Sequence, residues 1–199
     1  MKKIATLLCC LLLTGCVTIP AKRGALNQQL SWQSRQAQLS HLTRWQLNGA
    51  VAIETAQHGQ SASLIWQQQL QHYQIDLFGP LGAGHVILKS NKQGVTLTSN
   101  GKHYQSHTAE ALMQQILGWH LPVSNLYFWV RGLPAPRLKY KIKFDAYHHI
   151  IELQQQGWHI FYQQYTEVDG IDLPSKLTLQ SDNLKVKFII SRWQLKNYK

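Results

Sequence analysis

The sequence predicts a mainly β (α+β) domain, built as a strongly curved antiparallel sheet or unclosed barrel of about eleven strands with helices inserted between its two halves. Three observations predict it. Apolar and polar residues alternate at period two through most of the chain. One central stretch, near residues 108–131, changes to the period of a helix. Nowhere do strands and helices take turns, as a parallel sheet would require.

The chain opens on Met1-Lys2-Lys3, an apolar run from Ile4 to Leu13, and Thr14-Gly15-Cys16. A charged start, about ten apolar residues and small residues before a cut site make a secretory signal over residues 1–15. The run is too short to span a bilayer, which takes about 20 apolar residues. Leu13-Thr14-Gly15-Cys16 resembles the lipobox of bacterial lipoproteins; the alternative is an ordinary signal peptide with a chance cysteine. In the lipoprotein class the Cys16 thiol takes a diacylglyceryl group, the signal is cleaved before it, and the new amine is acylated. Two or more acyl chains give stable anchoring where one is marginal. Val17, where inner-membrane lipoproteins commonly carry aspartate, points to the outer membrane.

All three cysteines, Cys9, Cys10 and Cys16, lie in these first residues, so the body has no disulfide framework and no cysteine metal site. Residues 16–25 read as a lipidated start and tether, and 26–199 as one domain. Leu26 to Leu42 suits a helix, with Leu26, Leu30, Trp32, Ala37, Leu39 and Leu42 in its stripe. Period two then takes over. Trp45, Leu47, Val51 and Ile53 point one way and Gln46, Asn48 and Glu54 the other. Ala62, Leu64 and Trp66 continue the pattern, followed by Tyr73, Ile75 and Leu77, by Val86 and Leu88, and by Val95 and Leu97. Asn100-Gly101 signals a hairpin.

Ala109, Leu112, Met113 and Ile116 follow helical spacing, with Thr108 as N-cap and Gly118 as stop. Pro122 and Ser124 introduce a second short helix whose Leu126, Trp129 and Val130 share a face. Strands resume at Arg137. Leu138, Tyr140, Ile142 and Phe144 face one side, and Arg137, Lys139, Lys141 and Lys143 the other. Further strands are expected at about 148–156, 158–164, 174–181 and 184–193.

Catalytic chemistry is missing. The nine acidic residues form no obvious working pair, and ten histidines yield no His-Glu-x-x-His motif. His148 and His149, adjacent in a predicted strand, should face opposite ways. Asp169-Gly170-Ile171-Asp172 lacks the full ligand series of a calcium loop and reads as a turn. Gly79 to Gly84 lacks the lysine of a phosphate loop, and no Gly-x-Ser-x-Gly elbow occurs. The expectation is a protein without catalytic residue, metal or cofactor.

The formal net charge is +11, on a chain only 15% charged and carrying 24 glutamines. Loss of the signal removes Lys2 and Lys3 and no acid, leaving +9. Such an excess favours anionic partners, and for an exported, anchored chain these are lipid head groups or periplasmic proteins rather than nucleic acid. The basic strand 137–143 reads either as a solvated or lysine-protected edge or as a docking face for anionic lipid or protein.

Seven tryptophans and eight tyrosines fill a core, or line an apolar cavity if Trp66, Tyr73 and Trp158 sit on the concave side beneath helices bearing Met113, Ile116 and Trp129. Leu81 stands alone as a large apolar residue among Pro80 and three glycines, where little local surface shelters it. An exposed apolar tip on an anchored protein suggests insertion into lipid.

Several segments stand in a telling order. They are Cys16, Trp45-Gln-Leu-Asn-Gly-Ala-Val-Ala-Ile, Trp66-Gln67-Gln68 with Tyr73, Gly79-Pro80-Leu81-Gly82, Leu117-Gly118 with Leu121-Pro122-Val123 and Leu126, Trp129-Val130-Arg131-Gly132-Leu133-Pro134, Gln156-Gly157-Trp158 with Tyr162, Leu173-Pro174 and Trp193. Together they resemble the LolB family of outer-membrane lipoproteins over nearly all of the mature chain. The resemblance implies an unclosed barrel with a helical lid and a hydrophobic cavity for acyl chains. It implies acceptance of lipoproteins from the soluble periplasmic carrier LolA and their insertion into outer-membrane phospholipid, by a monomer. It further implies a cavity lined by Trp66, Trp129, Trp158 and Trp193, and a membrane-insertion loop of Pro80, Leu81 and Gly82. Strict alternation sets Trp193 opposite Val186, Phe188 and Ile190, so it faces inward only across a bulge. The competing readings are a structural or protein-docking envelope lipoprotein, a generic lipid binder, and an enzyme acting on lipid or cell wall.

Overall fold

The computed structural model describes residues 29–80, 84–118 and 120–196. Eleven antiparallel strands form one sheet. They are β1 (Arg44–Thr55), β2 (Gly59–Gln69), β3 (His72–Phe78), β4 (His85–Asn91), β5 (Gly94–Ser99), β6 (Lys102–Ser106), β7 (Tyr140–Phe144), β8 (Ile150–Gln155), β9 (Trp158–Val168), β10 (Ile171–Gln180) and β11 (Leu184–Leu195). Their spatial order is β6-β5-β4-β3-β2-β1-β11-β10-β9-β8-β7, two meanders joined where β1 pairs with β11. The short strands β6 and β7 are the two ends of the sheet, so the barrel is unclosed. Among the described residues three α-helices accompany it: α1 (Trp32–Ser40), α2 (Ala109–Leu112) and α3 (Val123–Trp129). A π-helical turn, Met113–Leu117, continues α2.

Alternation decides which face is inside. Trp45, Leu47 and Val51 of β1, Leu64 and Trp66 of β2, and Val186, Phe188 and Ile190 of β11 are buried. Each such side chain is worth roughly 1.5–3 kcal/mol relative to exposure. Two-residue turns with both residues at positive φ, Asn100-Gly101, Gln156-Gly157 and Asp169-Gly170, set the hairpins. Because neighbouring strands alternate in direction, the β1–β2, β3–β4, β8–β9 and β10–β11 connections share one end of the barrel.

Helix α1 lies at the other end, where β1 starts. It begins at Ser31, five residues after the expected start at Leu26, because the Ser31 hydroxyl accepts the Ser34 N–H at 3.2 Å and caps it there; Leu26 itself lies outside the described residues. Its buried positions are Arg35 and Leu39, and Ala37 is exposed. Arg35 contacts Asp172 at 3.4 Å and donates to the Tyr147 carbonyl at 2.9 Å. His149 bridges Asp145 and Asp172 at 2.8 and 2.9 Å, so charge and hydrogen bonds tie α1 to the β7–β8 turn and to β10. Both histidines precede β8 in that turn, with His148 at φ +59, rather than lying in the strand that alternation suggested.

The strand expected from Arg137 starts instead at Tyr140, since Arg137 adopts φ +61 in the turn after Pro136. Only Lys141 and Lys143 of the basic series lie on β7, and Lys143 pairs with Glu152 at 2.7 Å. Tyr140 is 43% exposed because nothing pairs with the outer edge of β7 in the sheet.

β11 carries the irregularity that Trp193 requires. Asn48 pairs with Arg192 but Gly49 with Ile190, leaving Ser191 as the extra residue of a bulge. Trp193 thereby turns inward opposite Leu47, 6% exposed, and its Nε1 donates to the Pro174 carbonyl at 2.9 Å.

Candidate functional site: an apolar cavity and its rim

The central helices cross the concave face. Thr108 caps α2 by accepting the Ala111 N–H at 3.2 Å, and Gly118 ends the π turn at φ +76. The π turn inserts an extra residue per turn, which leaves Ala109, Leu112 and Met113 buried but Ile116 only half-buried. α3 returns towards α1, with Leu126, Trp129 and Val130 buried. There the buried Arg131 donates to the carbonyls of Tyr127, Leu39 and Leu42 at 2.9, 3.0 and 2.8 Å, its guanidinium 3.9 Å from the Tyr127 ring centroid. Burial lowers its pKa to about 10.

Between helices and sheet lies a cavity of about 50 Å³ lined only by apolar side chains. Val51, Leu64, Trp66, Ile75 and Leu88 supply the sheet wall, with Met113, Leu121, Val123 and Leu126 above them. The volume is under two water molecules' share of liquid, about 30 Å³ each, and no polar group holds water there. An acyl chain fits only if the helices or the Met113 side chain yield, and methionine's unbranched thioether is the most adaptable of the lining groups.

Of the residues expected from sequence at this cavity, Trp66 and Met113 line it. Trp129 lies beside it, fully buried, its Nε1 donating to Gln155 Oε1 at 2.8 Å and its ring 6.1 Å from Trp158. Trp158 faces a groove at the barrel rim, and Ile116, on the π turn, packs against the core without lining the cavity. Tyr73 opens towards the opposite end, near Arg44 and Gln68. Burial, with the Glu110 carboxylate adding to it, holds its phenol proton well above the ordinary tyrosine range. Trp193 packs 5.3 Å from Trp45.

Trp45 is the residue missed. Its ring also meets Trp66 at 5.2 Å and Tyr127 at 6.3 Å, so it joins the cavity wall to the aromatic core. The alternation that aligned Trp45 with Leu47 and Val51 already placed it on this face.

Cys16, Leu81 and Gly82 lie outside the described residues. The base of the loop that holds Leu81 is described. Gly79 N–H donates to the Gly84 carbonyl at 3.0 Å, Phe78 stacks on His85 at 4.3 Å, and Asp76 contacts His85 at 3.1 Å. Exposed Pro80 follows. The loop is thus clamped at its foot, on the end of the barrel opposite α1. Among the described residues, no group of three His, Cys, Asp or Glu side chains is placed to hold a metal ion.

Residues 43–193 match the family model described as "Outer membrane lipoprotein LolB". The chain belongs to the LolB family. The match takes in the sheet up to Trp193 and the central helices, and leaves α1 outside. A relative from Coxiella burnetii, named "Outer-membrane lipoprotein LolB", is 41% identical over 194 residues, covering 96% of this chain and 92% of its own. A namesake from Pseudomonas aeruginosa is 39% identical over 186 residues, covering 92% and 91%. A solved LolA superfamily protein from Nitrosomonas europaea shares the fold with a TM-score of 0.54 at 7% identity, over 85% of this chain and 96% of that one. A DUF1329 family protein from Desulfovibrio piger does so with a TM-score of 0.55 at 6% identity, over 84% and 92%. The LolB family is one of outer-membrane lipoproteins, and no described helix is long and apolar enough to cross a membrane. The unclosed eleven-stranded sheet expected from sequence is the fold found.

Proposed function

We propose that this chain receives lipoproteins from a soluble periplasmic carrier, LolA, shelters their acyl chains inside the barrel, and delivers them into outer-membrane phospholipid. The observation that carries the reading is the wholly apolar cavity beneath a short helical cover in a sheet that does not close. Each buried CH₂ is worth about 0.8 kcal/mol, so a dry interior holds acyl chains without reading the cargo's sequence. Handover then needs only a somewhat better environment at each successive host, and neither nucleotide nor cofactor takes part.

In this reading Trp66, Met113, Ile116, Trp129, Trp158, Trp193 and Tyr73 line or bound the expanded acyl site. Pro80, Leu81 and Gly82 form the tip that enters the bilayer. Cys16 carries the diacylglyceryl and acyl groups that anchor a monomer to the periplasmic face of the outer membrane, and no catalytic residue is involved. The test mixes carrier-bound lipoprotein with the purified full chain and follows the cargo. Cargo that moves onto the chain, and from there into liposomes, supports the reading; cargo that stays on the carrier refutes it.

A further inference from the structure

A groove of about 780 Å³ lies at the rim that also carries the clamped β3–β4 loop. It runs between the β1–β2, β8–β9 and β10–β11 turns and the end of the π turn. Ile53 lines both this groove and the apolar cavity, and the successive residues Met113 and Gln114 wall one each. The two spaces are therefore adjoining compartments of opposite polarity.

The groove's polar lining is mostly neutral. Amides come from Gln57, Gln60, Gln114, Gln156 and Asn183 and imidazoles from His58 and His120, and among the described residues Asp182 is the one carboxylate on a wall without lysine or arginine. The two buried glutamines outside the groove are used internally: Gln68 accepts from Trp66 and donates to the Leu70 carbonyl, and Gln155 joins Trp129 to Ala135. The side-chain amides of Gln57, Gln60 and Gln114 make no hydrogen bond among the described residues. A wall of cations would select phosphate. Free amides, each both donor and acceptor, match ester carbonyls and peptide N–H and C=O groups instead, and are indifferent to side-chain sequence.

We infer that this groove binds the polar head of the acylated cargo, namely the glyceryl esters and the first peptide units of a lipid-modified N-terminal cysteine, while the acyl chains pass Ile53 into the cavity. The inference rests on the acyl-binding reading above and adds to it a recognition site for the part of the cargo that is not hydrocarbon. Neutral amides at this position would accept any cargo that carries the modified cysteine, whatever sequence follows it.

The test uses the full chain and two probes: a synthetic peptide beginning with N-acyl-S-(diacylglyceryl)cysteine, and palmitate. In the variant Gln57→Ala/Gln60→Ala/Gln114→Ala, lipopeptide affinity falls at least about tenfold while palmitate affinity stays within about twofold, and Gln60→Ala alone gives an intermediate loss. All three positions are exposed, so the melting temperature is unchanged. Unaltered lipopeptide affinity, or an equal loss for both probes, overturns the head-group site and leaves the acyl reading standing. A wild-type chain that binds neither probe overturns both. Selective loss for the lipopeptide in a chain that never accepts cargo from the carrier keeps the site and removes the transport role.

Discussion

Gly49 lies against the main-chain carbonyl of Ile189, at the point where the β1–β11 register slips by one residue. A Cβ at Gly49 would collide with that oxygen and stand 3.0 Å from Ile190 Cα, so the close approach admits no side chain. The bulge beside it turns Trp193 towards Trp45. Gly49→Ala should therefore cost about 1–3 kcal/mol or more, as overpacking against main chain does. Urea unfolding checks the stability. Near-ultraviolet circular dichroism checks the second expectation, a weakened signal from the Trp45–Trp66–Trp193 cluster.

The cavity itself is open to filling. Val86 is half-buried on its wall, where a larger ring has about 50 Å³ to enter. Val86→Phe should lower affinity for a fluorescent acyl probe by about tenfold or more and change stability by less than about 3 kcal/mol. An unaltered acyl affinity would place the chains somewhere else.

Leu81→Glu separates capture from delivery. A carboxylate in place of Leu81 resists entry into hydrocarbon, and the described foot of the β3–β4 connection lies on the far side of the barrel from α1. Loading from the carrier should proceed at its normal rate, and transfer from this chain into liposomes should fall at least about tenfold. Normal transfer would remove the loop from the mechanism.

Three phenols, those of Tyr73, Tyr162 and Tyr165, give the protein an alkaline limit. Burial raises the Tyr162 pKa above the ordinary 10.0, and Tyr165 rises well above it through burial and then through Tyr162, Asp145 and Asp172, against Arg35. A folded-state pKa above the unfolded one means stability is fully present below about pH 10 and is lost as pH rises beyond it, because only the unfolded chain releases these protons. Tyr162→Phe should flatten that decline. At neutral pH it removes the 2.8 Å bond to the Trp129 carbonyl, at a cost of about 1 kcal/mol. Urea unfolding across the alkaline range measures both effects.

The β architecture was legible because period-two alternation reports directly on which face is buried, and Trp45, Leu47, Val51, Leu64 and Trp66 all obey it. Boundaries were less legible where side chains compete for backbone groups. Ser31 starts α1 by capping it, and Arg137 at positive φ delays β7; neither event leaves a mark on hydropathy. The π turn was invisible for a similar reason, since Met113 and Ile116 keep helical spacing in sequence while their burial diverges. Sequence flagged the need for a bulge before Trp193 but could not place it, because Ser191 looks like any outward residue. The cavity was half-legible: Trp66 and Met113 fell on it, whereas Trp158 belongs to the rim. The β1–β2, β8–β9 and β10–β11 turns build the groove at that rim, and only the folded chain brings them together.

The seam between β1 and β11 joins the two ends of the domain, with Lys187 reaching Glu54 at 2.7 Å across 133 residues. Pairing over such a separation carries a large loop-closure cost and is slow to nucleate. β2 follows β1 directly in sequence, so one edge of β1 pairs locally, while its other edge waits for the last strand of the domain. The seam is therefore the closing step of folding: the two halves of the sheet become one wall only when β11 is laid between β1 and β10.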